Sequence, residues 1–396
     1  MLAAFILLTG RWSFARLDDT GEADPLLMQP RFWLVAALVA LVLVDLCGRG
    51  GWKRWRLEWT DSWLMLFFAY LICSYAWAPD DELTTIKVAE VALEATAILA
   101  LIAGRSTMDR QRVEGAFWSM LLVLGLVMAA LAIGLTATGR VATPGGGPIT
   151  FGRNMGLMAM AAWRLAESKS ALHKIMAAQV IVLALLMAVM CGSRGALLSF
   201  AMGGATLALL ARISLFQKTA ALGVIVASTC FAFFFTETGS HAREVFQHRI
   251  VETTFQRQHM AGRDDLWATA RELAAERPVF GWGLNGFRAN SWHYPHNLFL
   301  EVTVEGGVIG LMLLLAAFAA WLLACRRYRD LVPSGAVAAF VLALTATQTS
   351  GDLYDSRCMF LLLVMTTPTL AQVWQAWHQR QQQYSAAWRR PLAQKP

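Results

Sequence analysis

A histidine near the start of the last apolar third of the chain has the setting of a general base. His296-Asn297 is followed by nine residues, Leu298 through Gly306, and then by Gly307-Val308-Ile309-Gly310. The histidine stands where a long polar segment meets an apolar one. Imidazole titrates near neutral pH, so it can take a proton without a large pKa shift. The arginine-rich segment before it suits an anionic, membrane-tethered substrate. Asn297 suits the N-cap of the helix that follows. Glu301 and Glu305 stand four and eight residues beyond Asn297, so the three share one helix face. Two carboxylates in an apolar helix are costly and must face the interior of a bundle. Gly306, Gly307 and Gly310 would let another helix pack close. The alternative for His296 is an interfacial ring bonded to backbone or lipid, and His293 competes for its role.

Cations that could hold a phosphate lie elsewhere. Arg194 stands in Cys191-Gly192-Ser193-Arg194-Gly195-Ala196, a tight turn between two apolar runs. Ser193 can cap the next helix, and a helix N-terminus beside a guanidinium suits a phosphate. The plainer reading is an arginine that snorkels to headgroups. Arg263 follows Gly262 and opens a helical stretch. It could take a second pair of phosphate oxygens, pair with Asp264 or Asp265, or face water. Asp352 and Arg357 occupy the short loop Ser350–Arg357 and could pair with each other. Asp352 could instead orient a catalytic partner. Arg153-Asn154 follows Gly145-Gly146-Gly147, which lacks the ending of a P-loop and more simply bends the chain over a cavity.

The elements that must position these residues read as membrane helices. Of 396 residues, 57% are hydrophobic and 15% charged, against roughly 25% charged in soluble domains. Apolar runs of bilayer length recur at 32–48, 60–78, 86–104, 114–136, 150–167, 173–191, 194–211, 216–236, 298–324, 334–350 and 358–376, with a short twelfth at 1–16. No signal peptide is evident. The net charge of +7 suggests nucleic acid only if position is ignored. More than half of the Lys and Arg fall in alternate short loops and the tail, which places those on the cytoplasmic side. The 60-residue stretch 237–297 then lies on the other side. Helices are expected there at 241–258 and 263–276, the second ended by Pro278. The six cysteines form no CxxC pair, so neither a metal site nor a disulfide framework is indicated.

With those residues in place, the chain resembles the lipopolysaccharide O-antigen ligases. Their wider group includes O-antigen polymerases and protein O-oligosaccharyltransferases. The resemblance rests on His296-Asn297, nine residues, then Gly307-Val308-Ile309-Gly310. It also rests on Ser193-Arg194-Gly195-Ala196, on Gly262-Arg263 with Trp267, and on Pro278-Val279-Phe280-Gly281-Trp282-Gly283. It implies an all-α, polytopic bundle of about 12 transmembrane helices in the bacterial inner membrane, with a helical periplasmic loop domain. The divisions are an N-terminal bundle (1–236), the periplasmic loop (237–297), C-terminal membrane helices (298–376) and a cytoplasmic tail (377–396).

The implied reaction moves O-antigen polysaccharide from undecaprenyl pyrophosphate to a sugar hydroxyl of lipid A-core, without metal, nucleotide or other cofactor. His296, Arg194 and Arg263 would be catalytic. Arg194, Arg263, Arg153, Asn297 and Asp352 would bind substrate. Single displacement would invert the anomeric centre. A polymerase or a protein O-oligosaccharyltransferase would share the donor contacts. A lipid-linked glycan flippase would instead need polar groups along a path through the bilayer, whereas these candidates cluster on one face.

Overall fold

The structure is a computed structural model that describes residues 1–8, 29–48, 57–107, 110–135, 140–142, 147–167, 170–249, 251, 263–291, 293–369, 372–374, 377–378 and 381–382. Residues 9–16 of the short first run, Gly145, Gly146, Gly262, the end of the expected 241–258 helix and most of the tail lie outside the described residues.

Among the described residues the regular elements are all helical. In chain order they are α1 (Leu2–Leu8), α2 (Pro30–Gly48), α3 (Trp59–Cys73), α4 (Glu82–Thr107), α5 (Arg110–Leu135), α6 (Pro148–Ala166), α7 (Ala171–Met190) and α8 (Arg194–Leu210). There follow α9 (Leu215–Phe235), α10 (Glu237–Phe246), α11 (Arg263–Glu276), α12 (Gly286–Ser291), α13 (Leu298–Arg327), α14 (Ser334–Thr347) and α15 (Arg357–Thr366). Among the described residues five stretches are long and apolar enough to cross a membrane: α2, residues 112–133 of α5, α7, α9 and α13. α8 and α14 are apolar but shorter. α4 carries Lys87, Glu90 and Glu94 in its apolar run, which lowers its mean hydropathy. The run at 60–78 is cut at Cys73 by a 3-10 turn over Ser74–Trp77. α15 ends at Thr366 and residues 372–374 of the last run are again helical, while α10 (Glu237–Phe246) covers the start of the expected 241–258 helix; residues 370, 371, 375, 376, 250 and 252–258 lie outside the described residues. α11 covers the stretch that its spacing predicts.

α9 buries none of its residues, and Leu215, Phe216 and Phe235 are largely exposed. An apolar helix without a polar face is matched to lipid rather than water. The other long helices enclose one core, in which Phe67 and Phe68 of α3 meet Phe360 of α15. Leu342 of α14 packs where α6 and α8 present Gly156 and Gly203, so these three helices approach closely. At one end of the α3–α4 pair, Arg105 and Asp61 form a buried ion pair at 2.5 Å, and Arg105 also donates to the Val364 carbonyl.

Candidate active site

α13 carries the histidine motif, and it is broken. Gly307 has φ 61° and ψ −164°, a conformation that is essentially glycine-only. The break frees backbone groups that a continuous helix would pair internally. Residues 278–283 take them up: the amides of Trp282 and Gly283 donate to the carbonyls of Val304 (2.8 Å) and Glu305 (2.9 Å). In return the amides of Val308 and Ile309 donate to the carbonyls of Pro278 and Val279. The Tyr70 hydroxyl of α3 donates to the Gly306 carbonyl at 2.8 Å. A Cβ on Gly281 would stand 2.6 Å from the Glu305 carbonyl carbon, and Gly281 has φ 72°. Gly281 and Gly307 therefore belong to one device, a loop that splints a broken helix. Tyr70 does pack over Gly306 and Gly310, but Gly307 serves the break and not helix–helix packing.

The splint isolates residues 298–306 as a short helical piece, and His296 and Asn297 stand at its head. The Asn297 side chain accepts from the Leu300 amide at 3.1 Å, an N-cap as the sequence predicts. His296 sits at φ 55°, a left-handed conformation that costs a non-glycine residue energy. Trp267 of α11 donates its indole N–H to the Pro295 carbonyl at 3.0 Å, which ties the loop to that helix. The Tyr294 ring lies edge-on, 4.6 Å from the imidazole. His296 Nδ1 is buried without a hydrogen-bond partner among the described residues.

The arginines come to the same place. Ser193 caps α8, accepting from the Ala196 amide, so Arg194 is the first residue of that helix. Arg263 opens α11 and is half-buried. Burial and the nearby Arg194 push its guanidinium pKa down. His296 is pushed below its ordinary 6.5 by burial, then by Arg263 and His293, while Asp352 and Asp355 oppose the shift. Arg263 is thus within electrostatic reach of both Arg194 and His296. An imidazole depressed this way is neutral at pH 7, the state a base requires.

Arg153 of α6 is buried, and its Nη1 approaches the Asp355 carbonyl at 3.5 Å. Asp352 accepts from the Asp355 amide at 3.0 Å, shaping the loop before α15, and lies within electrostatic reach of His296. Arg357 pairs with Asp355 (3.4 Å) instead of Asp352, and it also binds the carbonyls of Tyr354 and Ile6. It is therefore a brace between α1 and α15. Asp355 lies closer to this cluster than the sequence suggests.

Two features escape sequence reading. Lys87 of α4 lies between Glu301 (2.6 Å) and Glu305 (2.7 Å), with all three buried. Its partners are 214 and 218 residues away. The available hint is the recurrence of charge at 87, 90 and 94 on one face of an otherwise apolar run. Arg140 donates to the Cys191 carbonyl at 2.9 Å, and its pKa is lowered by burial and by Arg249. Both stand against Gly192, two residues before Arg194. Among the described residues no group of three or more His, Cys, Asp or Glu could hold a metal ion.

A broken helix carries a histidine with Arg263 and Arg194 nearby, an arrangement whose charge suits an anionic substrate. Residues 179–315 match the family model described as O-antigen ligase, a stretch that holds Arg194, Arg263, His296, Asn297, the splint and the helix break. Over that stretch, about a third of its length, the chain is similar to the O-antigen ligase family. This supports a general enzyme role of glycosyltransferase type on lipid-linked polysaccharide. Lys87, Arg153 and Asp352 lie outside the matched stretch. No curated protein matches the chain at a significant level.

Proposed function

We propose that the protein is an O-antigen ligase of the bacterial inner membrane, its cleft facing the periplasm. Its further helices would complete a bundle of about 12 spans, and residues 237–297 would form the periplasmic part. The donor is polysaccharide on undecaprenyl pyrophosphate, and the acceptor is a sugar hydroxyl of lipid A-core. Arg194 and Arg263 hold the pyrophosphate. His296 takes the proton of the acceptor hydroxyl as its oxygen attacks the anomeric carbon. The bond from that carbon to the phosphate oxygen breaks, the lipid pyrophosphate leaves with its electrons, and the centre inverts. Charge grows on the pyrophosphate as the bond breaks, so the arginine contacts strengthen in the transition state. The donor is already activated, so the displacement needs no metal or nucleotide. Arg153, Asn297 and Asp352 shape the cleft around the two substrates.

The observation that carries this reading is a half-buried histidine at the head of a broken helix, with Arg263 within its electrostatic reach and Arg194 within that of Arg263. The test is to delete the gene and examine the lipopolysaccharide on a gel, complementing with wild type and with His296→Ala. A ligase predicts loss of every band above the core while polymerised glycan persists on the lipid carrier. Wild type restores the ladder and His296→Ala does not. A core bearing one repeat unit would mark a polymerase, and an unchanged gel would point to a protein acceptor.

A further inference from the structure

Residues 298–306 carry the histidine's end of α13 but are cut off from the rest of that helix at Gly307. A helical piece of this length is marginal by itself. It is held below by the 278–283 splint and above by the Asn297 cap and the Trp267–Pro295 bond. α3 and α11 pack against it, through Tyr70 and through the cluster of Ala270, Leu273 and Val304, and on the α4 side Lys87 grips it, its ammonium touching carboxylates one helical turn apart. The junction extends along α4, where the Thr84 hydroxyl meets the side-chain amide of Asn285, just beyond the splint. Asp352 lies within electrostatic reach of both Lys87 and His296, and Glu301, which Lys87 grips, follows His296 by only five residues.

Apolar side chains of similar size would pack α4 against α13 at less desolvation cost. What they would not do is fix the axial position and rotation of a short helix, as a cation between two carboxylates does. We infer that Lys87 is a positioning residue for His296. It clamps the first two turns of α13 from α4 and so sets the depth at which the imidazole meets the acceptor hydroxyl. This inference rests on the ligase reading and adds a residue that touches neither substrate.

The test uses the full chain in phospholipid nanodiscs, with an undecaprenyl pyrophosphate-linked oligosaccharide as donor probe and lipid A-core as acceptor. Lys87→Met should lower kcat about 100-fold, as small misplacements of catalytic groups do, with the donor KM within about twofold of wild type. Lys87→Arg keeps a cation at the site and should recover most of the rate. The triple variant Lys87→Met/Glu301→Gln/Glu305→Gln leaves no buried charge unpaired. It should regain the wild-type unfolding temperature yet remain slow. A folded Lys87→Met or triple variant with wild-type kcat would overturn the inference. So would a raised donor KM at unchanged kcat, the sign of a binding residue. His296→Ala is assayed alongside. Full activity there rejects the ligase chemistry itself, whereas an inactive His296→Ala beside a normal Lys87→Met rejects only the positioning role.

Discussion

The two ends of α4 handle charge in opposite ways. Lys87 and Arg105 are 18 residues apart, roughly 27 Å along a helix rising 1.5 Å per residue, close to the thickness of a bilayer core. At the Arg105 end, guanidinium and Asp61 carboxylate neutralise each other in the core, and a carbonyl takes a further N–H. Near the Lys87 end, at the head of α13, Arg194 lies close enough to Arg263 to disfavour the charge on its guanidinium. A half-buried histidine there adopts a strained backbone angle. The first arrangement serves the fold. The second gathers like charges beside a half-buried imidazole, an arrangement that suits an anionic ligand.

Breaking the comparison on its structural side should produce a loss of protein rather than of rate. Arg105→Met strands a buried carboxylate, at a cost of about 3–5 kcal/mol. The expected result is a large fall in unfolding temperature and membrane yield, with normal kcat in whatever folds. A slow but fully stable Arg105→Met would show that the two ends are not separable. On the cleft side, Arg194→Lys should lower kcat/KM by about 100-fold with little change in unfolding temperature. The substitution keeps the charge but loses the two-point grip on phosphate. Equal activity of the two would leave Arg194 as a headgroup anchor.

Smaller effects sharpen the comparison. After burial, Arg263 is the charge that does most to hold the His296 pKa down. Neutral imidazole is the active form, so activity should fall as pH drops through a pKa below 6.5 and stay level above it. Arg263→Gln removes a positive neighbour and should move that acid limb upward in the residual activity. A limb that stays still or moves down would contradict the proximity of the two residues. Asn297→Ala removes the α13 cap and should cost about 1 kcal/mol, read as a modest fall in unfolding temperature. No fall at all would mean that the splint alone fixes this piece.

Much of this arrangement is written locally and is therefore readable. The spacing from His296 to Gly310, the capping roles of Ser193 and Asn297 and the extent of α11 depend on residues a few positions apart. Gly307 is different. A glycine that lets helices touch and a glycine that breaks a helix look alike in sequence, and only residues 278–283, nearly thirty positions earlier, decide between them. Lys87 is hidden for the same reason, because its carboxylate partners lie in the far half of the chain. Asp352 and Arg357 are close enough in sequence to suggest a pair, but the 3-10 turn over Tyr354–Ser356 brings Asp355 to Arg357 instead. The 3-10 turn over Ser74–Trp77 ends α3 inside an apolar run, a break that hydropathy alone does not reveal.

The measurement that bears most directly on the whole account is a paired one on His296→Ala in nanodiscs: binding of the lipid pyrophosphate donor, and a single turnover to lipid A-core. A general base held beside an arginine-bound donor predicts donor affinity near that of wild type and transfer slowed by about 10²–10⁴-fold. Transfer at the wild-type rate would contradict the assignment of His296 as base. Loss of donor binding with the protein still folded would make His296 a part of the phosphate site instead.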